Sequence, residues 1–313
     1  MSASVAAAAA TIGGLRRQAR DLLKGAGIAN AVQESDWLLA SALDVPSHVL
    51  ILEGARPVSA LQAEQACSLL KRRAAREPIQ YLLGAQDFYG LDIAVTPDVL
   101  IPRPETELLV EETLRAVAPS NALVIADVGT GSGCIAVALA RARCNATVYA
   151  LDISAPALVV ARWNAIRHGV RDRIRFIQAD LLETFGGAAV GAFDVIVSNP
   201  PYIPALELDG LQPEVARYEP RAALVAGQEG LAFYRRLLRE APLLLKPGGR
   251  LIMELGCGQA EAVTYLARQR GAFDSVECRN DAAGIERVLI ARVGAGGAPL
   301  AGPPSAIVGQ RGS

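Results

Sequence analysis

The sequence predicts an α/β protein in which a small all-helical segment precedes a mostly parallel, doubly wound sheet of seven strands. Three observations predict it. From Ala122 onward, short β-branched runs alternate with longer helix-forming stretches, which is the rhythm of strand–helix–strand units joined by right-handed crossovers. A glycine-rich turn, Gly129-Thr130-Gly131-Ser132-Gly133, links the first of these runs to a helix-forming stretch. Before residue 84 the apolar spacing is helical instead.

Taken in order, the run Val5–Ala10 resembles a weak signal-peptide core, but no basic residue precedes it and it is far too short to span a bilayer. It reads as a frayed start to a soluble protein. From Thr11 to Leu83 several short helices are expected. Leu15, Ala19, Leu22 and Leu23 share one face, Trp37, Leu38 and Leu39 begin another stripe, and Gly25, Gly27, Pro46 and Gly54–Pro57 punctuate the series. Leu61–Arg73 forms a further helix ending in Lys71, Arg72 and Arg73, a basic end that complements the macrodipole. Gln86–Val95 predicts a hairpin turning at Gly90. Leu100–Glu107 is an extended, proline-bounded segment that presents Arg103 and runs into a helix capped by Thr106.

Strands follow at Leu123–Ala126, Thr147–Leu151, Ile174–Ile177, Phe193–Val197 and Arg250–Met253, with two more at Phe273–Glu277 and Glu286–Ala291. Helices at Ile135–Ala142, Ala155–Ile166 and Leu231–Leu245 fill intervals between them. Beyond Val293 the chain is rich in glycine, alanine and proline and reads as a disordered tail.

Composition removes several classes of function. The chain has 313 residues and a net charge of −1, from 31 basic and 32 acidic residues. There is no bulk electrostatic reason to expect a polyanionic partner. Five scattered cysteines (Cys67, Cys134, Cys144, Cys257, Cys278) without Cys-x-x-Cys spacing read as reduced, mostly buried thiols. With only His48 and His168, in unrelated contexts, a Ser-His-Asp or zinc-hydrolase mechanism is hard to build. An enzyme of this composition works without histidine.

Chemistry concentrates at the ends of the predicted strands, where ligands of such sheets sit. After the fourth strand comes Ser198-Asn199-Pro200-Pro201-Tyr202-Ile203. The two prolines stiffen the backbone. Asn199 then offers its side-chain carbonyl and Pro200 its backbone carbonyl, two acceptors suited to an incoming NH2 group. Tyr202 adds a flat face for a planar amide or base. At the first strand's end, Asp127 stands two residues before Gly129, a position suited to a ligand's ammonium group. A glycine-rich turn alone is equally a dinucleotide signature. Asp152 ends the second strand, where an acid takes a ribose diol, and Asp180 follows the third. Three carboxylates at successive strand ends fit an uncharged nucleoside with an amino-acid tail and would repel a pyrophosphate, so S-adenosylmethionine fits better than NAD.

The order Asp-x-Gly-x-Gly-x-Gly, strand-two acid, strand-three acid, Asn-Pro-Pro-Tyr resembles the class I S-adenosylmethionine-dependent methyltransferases that act on planar nitrogen. Glu77–Gly84, Phe88-Tyr89-Gly90, Ile101–Glu107 and Glu219–Gly227 narrow the resemblance to the HemK/PrmC family of protein-glutamine N5-methyltransferases. It runs from about Leu15 to Ala291. The resemblance implies a helical substrate-recognition domain over 1–84, a hairpin linker over 85–107, a catalytic domain over 108–292 and a disordered tail over 293–313. It implies S-adenosyl-L-methionine as cofactor and the glutamine of the release factor's Gly-Gly-Gln loop as substrate, in a cytoplasmic monomer that contacts neither nucleic acid nor membrane.

By position, Gly129–Gly133 would hold the methionine part of the cofactor and Asp152 the ribose. Asp180 and Leu181 would flank the adenine, Asn199 would also touch the cofactor, and Asn199, Pro200, Pro201 and Tyr202 would grip the glutamine. Leu181 departs from relatives that carry an aromatic adenine wall, and Cys257 is not a residue expected from the family pattern. Rival readings with the same acceptor pair are methylation of a ribosomal-protein glutamine and of adenine N6. A non-catalytic cofactor-binding protein and an NAD oxidoreductase are the alternatives of a different class.

Overall fold

The computed structural model describes residues 11–117, 122–185 and 189–295. The expectations for Val5–Ala10 and for the tail beyond residue 295 lie outside the described residues. The chain divides into two compact units, one of residues up to Pro102 with Ala205–Val225, the other of Arg103–Pro204 and the chain from Ala226 onward. The grouping of Ala205–Val225 with the first unit has no counterpart in the sequence reading, which ran one domain unbroken from 108 to 292.

In the first unit, helices α1 (Ile12–Gly25), α2 (Ala31–Leu43), α3 (Val49–Leu52), α4 (Ala60–Ala74) and α5 (Ile79–Leu83) precede a hairpin of β1 (Ala85–Phe88) and β2 (Leu91–Ala94). Thr11 caps α1 by accepting from the Gly14 N–H at 3.2 Å. Ser59 and Gln62 form a reciprocal capping box on α4. Leu15, Ala19, Leu23, Leu38, Leu39, Ala66 and Leu70 close a common core. Leu22 and Trp37, expected on the inward stripes, are exposed instead. Each lies one helical step from a buried neighbour, and 100° of rotation is enough to turn a side chain out of a narrow apolar seam. Tyr89 and Gly90 both have positive φ (54° and 69°), as a two-residue hairpin turn demands.

The basic end of α4 does more than answer the helix dipole. Arg73, 6 % exposed, donates Nε to Glu34 at 2.5 Å and Nη1 to Glu214 at 2.9 Å. Arg76 takes the other oxygen of Glu214 at 2.9 Å. Glu214 belongs to the short helix α9 (Pro213–Tyr218). Two further bonds tie down the same segment: Tyr218 donates to the Ala75 carbonyl, and Glu219 accepts from the Ile101 N–H.

The second unit holds α6 (Glu107–Arg115), β3 (Leu123–Val128), α7 (Cys134–Ala142), β4 (Ala146–Asp152), α8 (Ala155–Arg167), β5 (Ile174–Gln178) and β6 (Phe193–Ser198). After these come α10 (Ala232–Leu244), β7 (Leu245–Glu254), α11 (Ala260–Gln269), β8 (Phe273–Asn280) and β9 (Glu286–Val293). The seven strands stand in the order β5-β4-β3-β6-β7-β9-β8. Pairing is parallel from β5 to β7 and antiparallel at β7–β9 and β9–β8. Strands β3 and β6 are fully buried at most positions because helices cover both faces, which explains their unbroken apolar runs. From β3 the chain winds outward through β4 to β5, then returns to the other side of β3 as β6. The switch point therefore lies between β3 and β6, where register pairs Val128 with Ser198 and the Ser198 hydroxyl donates to the Val128 carbonyl at 2.7 Å.

The cysteines differ from expectation. All five are free thiols, but only Cys134 is buried, while Cys144 and Cys257 are exposed. Both sit on turns, where a small side chain is tolerated without a core to receive it. No described helix is long and apolar enough to cross a membrane.

Candidate active site

Two loops leave the sheet at the switch point, and topology alone brings them together. Gly129–Gly133 follows β3 and Asn199–Tyr202 follows β6, so residues about 70 apart in sequence become neighbours.

The glycine loop is held from several sides. Gly129 and Thr130 donate their N–H groups to the Leu151 carbonyl at 2.9 and 2.8 Å, and Gly131 donates to Asp152 Oδ2 at 2.8 Å. Asn164 of α8 donates to the Ser132 carbonyl at 2.8 Å. Gly133, at φ 80°, lies against α8 so closely that a Cβ there would stand 2.9 Å from the Ala161 methyl. Glycine at this position lets the helix pack on the loop. At Gly129 and Gly131, by contrast, an added Cβ would meet open space.

Asp127 lies within β3 rather than after it, and is fully buried. Its Oδ2 accepts from the Thr130 hydroxyl at 2.6 Å and from the Ala136 N–H at 3.1 Å, capping α7 from below. Oδ1 is buried with no hydrogen-bond partner. Burial pushes this carboxyl up to about 7 despite those two bonds. Asp152, at the end of β4, accepts from Gly131 and, through Oδ1, from the Ser154 N–H at 2.9 Å, and burial raises its pKa as well. Asp180 is partly exposed, and its Oδ1 accepts from Arg236 at 2.8 Å. Next to it Leu181 is buried at φ 50°, a conformation a leucine adopts only where its surroundings over-determine it.

On the other side of the switch point, the Asn199 Nδ2 group donates to Thr106 Oγ1 at 3.1 Å, and the Thr106 hydroxyl donates to Glu254 Oε2 at 2.6 Å. Thr106, expected to cap α6, makes no capping bond there. Its hydroxyl is turned to the end of β7 instead. Glu254 is 1 % exposed, and burial pushes its carboxyl up to about 7. Pro200 is buried and Tyr202 half-buried, its phenol pushed up to about 12 by burial.

The Tyr202 carbonyl accepts from Gln259 Nε2 at 2.9 Å, and Gln259 Oε1 accepts from the Tyr234 hydroxyl at 3.3 Å. Gly230, at φ 72°, approaches so closely that a Cβ would stand 2.4 Å from the Tyr202 carbonyl oxygen. Sequence reasoning missed this cradle of Gly230, Tyr234 and Gln259. Isolated residues from three different elements carry no local pattern that announces it.

Comparison with known proteins agrees with this arrangement. Residues 14–84 match the model of the PrmC N-terminal domain, and residues 119–268 match that of a methyltransferase domain. The chain is 46 % identical over 275 residues to a release factor glutamine methyltransferase of Geobacter sulfurreducens, covering 88 % of this chain and 94 % of that one. It is 40 % identical over 284 residues to one of Nitratidesulfovibrio vulgaris, covering 90 % and 95 %. The chain belongs to the release factor glutamine methyltransferase family. A solved structure of the hMettl16 catalytic domain, in complex with MAT2A 3'UTR hairpin 6, shares the fold. It has a TM-score of 0.52 at 16 % identity, over 75 % of this chain and 81 % of that one.

S-adenosylmethionine is the cofactor of a methyltransferase of this kind, and the residues present fit it. An orphaned buried carboxylate oxygen at Asp127 suits an ammonium, the open faces of Gly129 and Gly131 leave room for the amino-acid tail, and Asp152 keeps lone pairs for a diol. A titration prediction follows. Below about pH 7 the free protein holds a proton on Asp127, and an ammonium at Oδ1 lowers that pKa. Binding of S-adenosylhomocysteine at pH 6 should therefore release up to about one proton, and at pH 8.5 almost none. Calorimetry in two buffers of different ionisation enthalpy measures this, and an absence of proton release at pH 6 would contradict it.

Proposed function

We propose that this chain transfers a methyl group from S-adenosylmethionine to the side-chain amide nitrogen of the glutamine in the Gly-Gly-Gln loop of a peptide-chain release factor. The observation that carries the reading is the orientation of Asn199. With Nδ2 given to Thr106, its Oδ1 is left to accept, in the loop that leaves β6 next to the glycine loop at the switch point.

An amide nitrogen is a poor nucleophile because its lone pair is delocalised into the carbonyl. Two acceptors that take both N–H bonds hold the group in one orientation and stabilise the positive charge that develops on nitrogen. Asn199 Oδ1 and the Pro200 carbonyl are those acceptors, and Tyr202 lies against the amide plane. When bound, S-adenosylmethionine supplies a methyl group on a sulfonium. Gly129–Gly133 and Asp127 hold its amino-acid tail, Asp152 its ribose, and Asp180 with Leu181 flanks the adenine, Arg236 fixing the Asp180 carboxylate. The methylated nitrogen is acidic enough to lose its proton afterwards, so no histidine is needed.

The near-neutral charge supports a protein substrate over a nucleic acid, since neutralising phosphates takes lysine and arginine. The scattered cysteines without Cys-x-x-Cys spacing support a cytoplasmic enzyme, read here as a monomer whose N-terminal unit recognises the substrate. Mass spectrometry of a purified release factor incubated with the enzyme and S-adenosylmethionine tests the reading. A single methyl on the Gly-Gly-Gln glutamine is the expected result. Methyl transfer only to a ribosomal protein, or only to adenine in RNA or DNA, would overturn it.

A further inference from the structure

We propose that Thr106 and Glu254 are positioning residues that set which end of the Asn199 carboxamide faces the substrate, a relay resting on the reading of Asn199 as the acceptor. The argument is one of donor and acceptor polarity. An ionised carboxylate only accepts, so Glu254 takes the Thr106 hydroxyl proton at 2.6 Å. Thr106 Oγ1 then has only lone pairs left for Asn199. The carboxamide must turn its NH2 inward, at 3.1 Å, and Oδ1 outward. A carboxamide rotated by 180° has almost the same shape, so packing alone does not choose between the two orientations. The hydrogen-bond chain does.

A proton on Glu254 neutralises it and lets the chain run the other way. A protonated Glu254 donates to Thr106 Oγ1. The Thr106 hydroxyl then donates to Asn199 Oδ1, and the NH2 group turns outward to meet the substrate's own NH2. The ionisable groups around Glu254 come from every element packed on it: Arg103 and Glu105 ahead of α6, Cys134 of α7, Tyr202 after β6, Tyr234 of α10 and Arg287 of β9. Burial opposes the carboxylate most strongly and Glu105 adds to it, while the Thr106 hydroxyl, Arg287 and Arg103 favour it, and the outcome lies at about 7. A proton on Glu254 thus favours the unproductive amide, and turnover should fall as pH drops through about 7.

The test measures kcat on a release factor at saturating S-adenosylmethionine, with S-adenosylhomocysteine affinity as a check on the fold. Thr106→Val keeps the shape and removes the hydroxyl. Either end of the carboxamide turned inward then lacks a partner, so the selection between the two orientations is lost and about half of the enzyme holds the productive one. Thr106→Val should lower kcat about twofold on the alkaline side, abolish the acid limb of its pH profile and leave cofactor affinity unchanged, and Thr106→Ser should restore both. Glu254→Gln, which carries no titrating proton, should lose the acid limb of the kcat profile. A purely structural role for either residue would move neither readout.

A Thr106→Val enzyme that binds S-adenosylhomocysteine normally and keeps the wild-type acid limb would overturn the proposal. So would an acid limb that persists unchanged in Glu254→Gln. Asn199→Ala, assayed alongside, separates the two ideas. If it is inactive while Thr106→Val keeps the acid limb, only the relay fails, whereas an active Asn199→Ala removes the acceptor reading itself.

Discussion

Asn199→Ala should lower kcat by about 100- to 1,000-fold, the loss typical of removing one preorganised hydrogen-bonding group from the reacting centre. The Pro200 carbonyl remains, so one N–H of the substrate amide is still held. The second is free, and rotation about the amide's remaining bond takes the lone pair out of line. Affinity for S-adenosylhomocysteine should stay within a few-fold, because the bonds that hold the glycine loop run to Leu151, Asp152 and Asn164 and none runs to Asn199. Single-turnover methylation of a release factor together with calorimetric binding measures the split. Turnover within threefold of wild type would remove Asn199 from the mechanism.

Arg73→Ala should destabilise the first unit by about 3–5 kcal/mol, the cost of stripping one partner from a buried charge cluster. Glu34 and Glu214 flank this guanidinium, with side chains 11 % and 14 % exposed, and both would be left without it. Arg76 still reaches Glu214, so Glu34 carries most of the penalty. Thermal unfolding should show a midpoint lower by more than about 10 °C. Adding Glu34→Gln should recover part of the loss, because a neutral amide at that position costs less to bury than an unpaired carboxylate. A midpoint within about 2 °C of wild type would show that water reaches the cluster and screens it.

Much of the second unit was legible in the chain because its signals are local. A β-branched run, a glycine turn and a helical stretch each span fewer than about fifteen residues, and the rule that ligands bind beyond parallel strand ends does the rest. Asp127, Asp152, Asp180 and Asn199 could be picked out on that basis, and they stand at or beside the ends of β3, β4, β5 and β6. The misreadings have a common cause. Neighbouring residues alone place Leu22 and Trp37 on buried stripes and make Thr106 a cap. In each case a partner remote in sequence, or the lack of one, decided otherwise.

Taken by itself, the order of residues determined the fold class, the placement of the glycine loop and the pairing of a stiff Asn-Pro-Pro turn with a strand end, since each depends on backbone preferences within one segment. Tertiary structure decided the direction in which groups point. Arg73 finds Glu214 across 141 residues, and Asn199 reaches Glu254 through Thr106 across 93 and then 148. The polarity of a hydrogen bond depends on what its acceptor is already bonded to, and that is known only once distant segments have been folded together.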